Sequence, residues 1–156
     1  MRSKIFLILA LVVAIASTAA PQTKTTGTVS CAKPDPAYSI DVGDRAGHSL
    51  SIGKSVCTWT TPMEISGVNT KDGADVTYSE ANGAKVRSSG YHVSTMSNGD
   101  KIYVRFQGND PMMDGKPETS EGTWSYIGAT GKLKGIKGKG TCKGRGDAGG
   151  NMVFEV

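Results

Sequence analysis

The chain has 156 residues, the size of one ordinary domain, and its formal charge of +4 at pH 7 indicates no particular class of partner. Glycine is abundant at 21 residues, threonine and serine are frequent, and leucine is scarce. This composition suits short strands and tight turns, and it argues against long helices.

The first 19 residues have the pattern of a secretory signal peptide. Arg2 and Lys4 precede an apolar run over residues 5–16, and small residues follow at 17–19. As a helix the run spans about 18 Å, short of the roughly 30 Å hydrocarbon core of a membrane, so a removable leader is favoured over an anchor. We predict cleavage after Ala19, which removes two cations and leaves a formal charge of +2. The remaining domain, residues 20–156, is expected to be exported, either to the periplasm or out of the cell.

Three cysteines remain in the predicted mature chain. In an oxidising compartment two of them are expected to pair, and Cys31 with Cys57 is favoured because it closes a loop of moderate length. Such a loop stabilises by roughly 3–4 kcal/mol in the chain-entropy model. The odd cysteine, Cys142, is then a reactive thiol, an intermolecular link or a buried small side chain, and the last is favoured.

Short strand-like segments separated by turn residues make up the N-terminal half of the domain. Turns are predicted at Gly-Lys 53–54, at Asp-Gly 72–73 and at Asn-Gly 82–83. The predicted strands between these turns cover residues 23–30, 38–42, 48–52, 55–60, 63–68 and 75–80.

The clearest strand pattern in the C-terminal half covers residues 101–107, where apolar and polar side chains alternate. A tight turn at 98–100 precedes it, and before that turn lies a long predicted strand over 84–97 with a bulge or bend at Gly90. Residues 108–120 hold two prolines and several charges, so they are expected to form an exposed loop.

The last strands are expected to place glycine and lysine on opposite faces. Residues 132–145 are predicted to form one strand, and a further strand starts at Met152. That strand reaches the last residue, so either it is short or the chain continues beyond it. Lysines alternate outward along residues 132–145, while glycines on the inner face allow the strong curvature that a barrel needs. The residues predicted to face inward are Ile136, Gly138, Gly140 and Cys142.

The number and uniform spacing of these segments predict an all-β fold. Outside the leader, no segment has apolar residues at the helical spacing over three turns. A single antiparallel β-barrel of about eight strands, closed or nearly closed, is favoured over a sandwich.

The glycine-rich run over residues 128–140, GATGKLKGIKGKG, resembles the hairpin of the allene oxide cyclase-like and dirigent-like β-barrels. The same hairpin occurs in small exported bacterial proteins of unassigned function. The resemblance covers roughly the last third of the chain. It implies an eight-stranded barrel, similar in shape to a lipocalin, whose interior can hold a small apolar molecule. The plant enzymes of this group act on oxylipin epoxides, and dirigent proteins steer phenoxy-radical coupling. None of their catalytic positions matches a residue of this sequence.

The sequence gives little support for a phosphate-binding loop, a metal site or a nucleic-acid-binding surface. The run 128–132 is no phosphate-binding loop, because that motif needs glycine at Tyr126 and serine or threonine at Leu133. The two histidines have no short metal-ligand spacing, so neither a metal nor a cofactor is predicted. Six cations between Lys132 and Arg145 are interpreted as a solvated barrel exterior, and without stacking aromatics they do not favour nucleic acid.

The leading hypothesis is therefore an exported, non-enzymatic barrel that binds a small apolar ligand. Large side chains that line such a cavity could equally well just fill it. Neither the ligand nor the oligomeric state follows from the sequence. The residues proposed to contact a ligand are Trp59, Tyr91, Trp124, Tyr126, His48 and His92.

Two alternatives remain open. The first is a cyclase or isomerase that uses an interior histidine or an interior carboxylate, for which Glu64, Glu80 and Glu121 are candidates. The second is an envelope protein that binds an anionic surface through its lysine-rich strand.

Overall fold

The computed structural model describes residues 23–113, 116–117 and 119–156, and the predicted signal peptide lies outside these ranges. Within them the chain is all-β apart from one 3₁₀ turn, Gly131–Leu133. No helix in this part of the chain is long and apolar enough to cross a membrane. The strands are β1 Thr28–Cys31, β2 Ala37–Asp41, β3 His48–Thr61, β4 Glu64–Ile65, β5 Val68–Asn82, β6 Lys85–Met96, β7 Lys101–Asn109, β8 Met112–Met113, β9 Lys116–Pro117, β10 Thr119–Ala129, β11 Lys139–Gly146 and β12 Met152–Glu155.

Eight strands close into an antiparallel barrel, as the sequence predicted. Their order is β3-β1-β12-β11-β10-β7-β6-β5, and pairing of β5 with β3 completes the circle. One edge of β3 pairs with β2 along its first half and with β1 along its second half, while the other edge pairs with β5. Closure satisfies the backbone groups that an open sheet would leave unpaired at its edges.

One end of the barrel is filled by apolar side chains. Met63, Ile65, Met96, Ile102 and Leu133 form a buried cluster there. They come from strand ends that meet at this end of the barrel, from the link between β3 and β4, and from the 3₁₀ turn, whose Leu133 is buried. Because alternate residues of a strand share a face, the remaining inward side chains extend from this plug toward the opposite end.

Two predicted turns are wrong, because the glycines involved lie inside long strands. Gly53 is part of β3, and Gly73 is part of β5. A Cβ on Gly53 would lie 2.8 Å from Pro34 Cβ, and one on Gly73 would lie 2.7 Å from the ring of His92. Both glycines are required by close packing, Gly53 against the connection between β1 and β2 and Gly73 against the neighbouring strand.

Two further details of the predicted strands are wrong. Gly90 causes no bulge, since the register of β6 is continuous on both sides of it. A Cβ there would lie 2.2 Å from Val76 O, so the glycine permits close strand approach. The strand predicted over 132–145 begins only at Lys139, because the preceding segment folds over the barrel end and buries Leu133.

The predicted disulfide between Cys31 and Cys57 is present. The two cysteines are direct cross-strand partners in β1 and β3, and both side chains are buried. Cys142 is free and lines the interior of the barrel, as its place in the alternation of β11 predicted.

Candidate ligand cavity and its polar cluster

Above the apolar plug the barrel interior forms a cavity of about 980 Å³, which opens to solvent where exposed residues such as Lys33 and Asp147 join its lining. Its surface is mostly apolar, and it lies near the upper end of the size range of small-molecule sites. Aromatic rings supply much of the lining: Trp59, Phe106, Trp124, Tyr126 and Phe154.

Glycines in β11 and immediately before it make room for two of these rings. Trp124 and Tyr126 face inward from β10, with ring centroids 5.0 Å apart. A Cβ on Gly140 would lie 2.6 Å from the Trp124 ring, and one on Gly138 would lie 2.6 Å from the Tyr126 ring. Glycine at these two positions therefore lets the rings lie flat against the neighbouring backbone, as well as permitting curvature.

Polar side chains interrupt the apolar lining: Ser120 donates a hydrogen bond to Asp110, and a larger cluster surrounds His92. His92 Nδ1 lies 2.5 Å from Asp75 Oδ1, and His92 Nε2 lies 3.0 Å from Ser94 Oγ. Trp59 Nε1 donates a hydrogen bond to the same Ser94 Oγ over 2.9 Å. All four residues line the cavity, so the chain of hydrogen bonds runs along its wall. We call Asp75, His92, Ser94 and Trp59 the interior cluster.

Strand geometry explains why the interior cluster forms. Asp75 on β5 is the direct cross-strand partner of His92 on β6, so both side chains leave the sheet on the same face. Ser94 is two residues further along β6 and shares that face. Its cross-strand partner is Gly73, and the missing side chain there leaves the space that the His92 ring occupies.

The direction of the hydrogen bonds follows from the donors available. An indole nitrogen can only donate, so Ser94 Oγ accepts from Trp59 and has its own proton free for His92 Nε2. The other imidazole nitrogen then donates to Asp75. A neutral imidazole satisfies the whole chain, and every buried side-chain nitrogen and oxygen in the described residues has a partner.

Asp75 also touches the disulfide. Its Oδ2 lies 3.3 Å from Cys31 Sγ and 3.5 Å from Cys57 Sγ. The three ligand atoms lie within 4.8 Å of one another, a spacing that could hold a metal ion. A cysteine ligates a metal as a thiolate, however, and neither sulfur is one while the disulfide is intact. In the oxidised protein this cluster therefore provides no metal site.

Two other titratable groups on the cavity wall are kept neutral. Burial raises the pKa of Tyr126 to about 12. The pKa of the Cys142 thiol is raised chiefly by burial, and the charges of Asp110 and Asp75 raise it further. Neither group is a ready nucleophile at neutral pH.

The structure brings four of the six proposed ligand-contacting residues together. Trp59, Trp124, Tyr126 and His92 line the cavity, whereas Tyr91 and His48 do not. Tyr91 precedes His92 on β6, so strand alternation turns it outward, and it is 54% exposed. His48 belongs to the opposite face of β3 from Trp59.

The glutamates considered as interior acids lie elsewhere. Glu64 and Glu121 are exposed, and Glu121 pairs with Lys143 over 3.3 Å on the outer surface. Glu80 Oε1 lies 3.2 Å from His48 Nε2, and Asp44 Oδ1 lies 2.5 Å from His48 Nδ1. The carboxylates that line the cavity are those of Asp75, Asp110 and Asp147 instead.

Sequence reasoning missed both Asp75 and Ser94. The spacing of His92 and Ser94 on one predicted strand already places them on the same face. Nothing comparable pointed to Asp75, because the Asp-Gly pair at 72–73 suggested a turn just before it. Recognising 68–82 as one strand would have been necessary to place Asp75 on the inner face.

No protein-family model matches the chain, and no curated protein matches it at a significant level. The inference of function therefore rests on the cavity and on the interior cluster.

Proposed function

We propose that this protein is an exported barrel that binds a small, largely apolar molecule in its interior. The observation that carries the proposal is the cavity of about 980 Å³ with its aromatic and mostly apolar lining. Burial of apolar ligand surface against such a lining contributes roughly 25 cal/mol per Å². The neutral Tyr126 hydroxyl and the interior cluster are among the polar groups on the wall that can orient a ligand.

Two observations support export. The first 19 residues have the composition of a cleavable leader. The Cys31–Cys57 disulfide suits an oxidising compartment, since cytosolic thiols are kept reduced.

Membership of the allene oxide cyclase-like barrels is part of the same proposal. The glycine-rich run over residues 128–140 and the closed eight-stranded barrel both support it. A shared fold does not carry an activity with it, so the proposed role remains binding.

A cavity-filling substitution tests the binding directly. Thr77 lies on the inner face of β5 and lines the cavity, whereas its neighbour Val76 is 42% exposed on the outer face. Thr77→Trp should weaken the binding of a fluorescent apolar probe by at least about tenfold, because the indole occupies the ligand's space. Val76→Trp adds the same bulk outside and should leave the affinity unchanged.

The measurement is a fluorescence titration with 1-anilinonaphthalene-8-sulfonate, combined with native mass spectrometry of protein isolated from its own compartment. A retained small molecule that is absent from Thr77→Trp would identify the natural ligand. The proposal fails if the unsubstituted protein retains no molecule and binds no apolar probe.

A further inference from the structure

We propose that Ser94 is a nucleophile and that the barrel hydrolyses carboxylic esters of aromatic alcohols held in its cavity. This inference rests on the proposed function, since the ester must first bind there. It adds to that function a reaction, acyl transfer to Ser94 and then to water.

The contacts of Ser94 are those that an activated serine needs. Its Oγ lies 3.0 Å from His92 Nε2, and the opposite nitrogen of that ring lies 2.5 Å from Asp75 Oδ1. Both distances are within the reach at which a base activates a nucleophile and an acid orients the base. Because Trp59 can only donate to Ser94 Oγ, the serine proton is directed at the imidazole.

The cluster is held in place by the sheet. Asp75 and His92 are paired residues of adjacent strands, and Ser94 follows on the same strand, so no loop has to order before reaction. Trp59 stands edge-on to the His92 ring, with an interplanar angle of 86° and centroids 6.4 Å apart. Because these side chains are already in position, they do not have to move as charge develops during the reaction.

Trp59 also has a positioning role. Its indole N–H donates to Ser94 Oγ over 2.9 Å and so fixes the position of that oxygen beside His92. With one lone pair of Oγ occupied by the indole, the hydroxyl proton stays directed at His92 Nε2.

Access to Ser94 limits the substrate. The residue is 2% exposed, and it is one of the residues that line the cavity. A slim, unbranched acyl group can reach Oγ more easily than a branched one. The aromatic rings of Phe106, Trp124 and Tyr126 elsewhere on the wall suit an aromatic alcohol portion.

The reaction balances with water as the second substrate. Ser94 Oγ bonds to the acyl carbon while its proton passes to His92 Nε2, and the ester C–O bond breaks as that proton moves to the departing alkoxide. Water then attacks the acyl-serine, giving one proton to His92 and its hydroxyl to the acyl carbon. The acid leaves as Ser94 regains the proton. The sum is ester plus water giving acid plus alcohol.

A fluorophosphonate probe tests the nucleophile in the native protein. We expect one stoichiometric adduct by intact mass spectrometry, mapped to Ser94 by peptide analysis, and none on protein unfolded in urea.

His92→Gln should slow labelling and the hydrolysis of p-nitrophenyl butyrate by at least roughly a hundredfold, as loss of a general base predicts. Ser94→Ala should abolish the adduct. Ser89→Ala, on the outer face of the same strand, should change neither rate.

The outcomes separate this inference from the proposed function. Absence of an adduct from protein that still binds the apolar probe overturns the nucleophile and leaves ligand binding intact. Absence of both overturns both proposals. An adduct on Ser94 that forms equally fast in His92→Gln, or on unfolded protein, shows ordinary hydroxyl reactivity and also overturns the inference.

Discussion

The two histidines of this protein make the same short contact with an aspartate, but the partner of the second ring nitrogen differs between them. His48 Nδ1 and His92 Nδ1 each lie 2.5 Å from a carboxylate oxygen, and each side chain is 11% exposed. The second ring nitrogen makes the difference: in His48 it faces the carboxylate of Glu80, and in His92 it faces the hydroxyl of Ser94.

A histidine between two carboxylates needs protons on both nitrogens, because neither partner can donate. Hydrogen bonds to Asp44 and Glu80 accordingly raise the pKa of His48. A histidine between a carboxylate and a hydroxyl is satisfied with one proton, since the hydroxyl can supply the other. The first arrangement is an ion-pair cluster on the surface, and the second leaves a nitrogen able to accept a proton.

Removal of the disulfide should have the largest effect, and it should affect the two histidines unequally. Replacing both cysteines, in Cys31→Ala/Cys57→Ala, should lower the free energy of unfolding by about 3–4 kcal/mol through loss of the closed loop. Asp75 touches both sulfurs, so the imidazole NMR signals of His92 should shift while those of His48 stay in place. Urea denaturation with NMR measures both effects.

The matched control is Cys142→Ala, which leaves the disulfide intact and should change stability far less. Unfolded wild-type protein without reductant should titrate one thiol, that of Cys142. Three thiols under those conditions would show that the cysteines are not paired.

A substitution at Gly73 should disturb the packing of His92 and leave the surroundings of His48 unchanged. A Cβ there would lie 2.7 Å from the His92 ring and 2.7 Å from Val93 O, so Gly73→Ala should lower the free energy of unfolding by about 1–3 kcal/mol. Gly128→Ala is the matched strand control, since its nearest contact is a flexible ring at 3.3 Å. In a His92→Ala background the same Gly73→Ala change should cost less than in the wild-type protein, and the remaining cost comes from the backbone contact. Unchanged stability and unchanged His92 signals in Gly73→Ala would contradict this packing.

The smallest effect should come from His48, as a dependence of the free energy of unfolding on pH. The pKa of His48 is raised in the folded protein, so its stabilising contribution is fully present below its unfolded value of about 6.5 and is lost as pH rises through the folded pKa. The pKa of Asp44 is lowered chiefly by its hydrogen bond to His48, so its contribution is lost as pH falls through that lower value. NMR titration of His48 and denaturation curves between about pH 5 and about pH 9 measure the His48 contribution. His48→Gln should flatten the upper part of the profile, and a His48 pKa at or below about 6.5 would refute it.

Much of the fold could be predicted because it depends on local pattern. Alternation in β7 placed Ile102 on the inner side, and the Asn98-Gly99 turn before that strand is present, with Gly99 at a φ of 86°. Both features depend on neighbours in the chain, which the sequence displays directly. The disulfide and the inward Cys142 followed from equally simple arguments.

The site was less predictable because its parts meet across strands. Trp59 and His92 were recognised as cavity residues, while Tyr91 was placed on the wrong side of its strand. Asp75 was missed because the Asp-Gly pair at 72–73, just before it, is compatible with a turn and also with a strand that passes close to a large side chain. Which of the two forms depends on packing against the His92 ring, which is 19 residues away from Gly73 in the chain.

The sequence by itself determined the all-β class, the barrel and the cysteine pairing, since these follow from strand periodicity, composition and cysteine spacing. Only the tertiary structure decided which histidine faces the cavity and which groups meet it there. The physical reason is register: a shift of one residue between β5 and β6 would turn Asp75 away from His92 and leave the interior cluster without its acid.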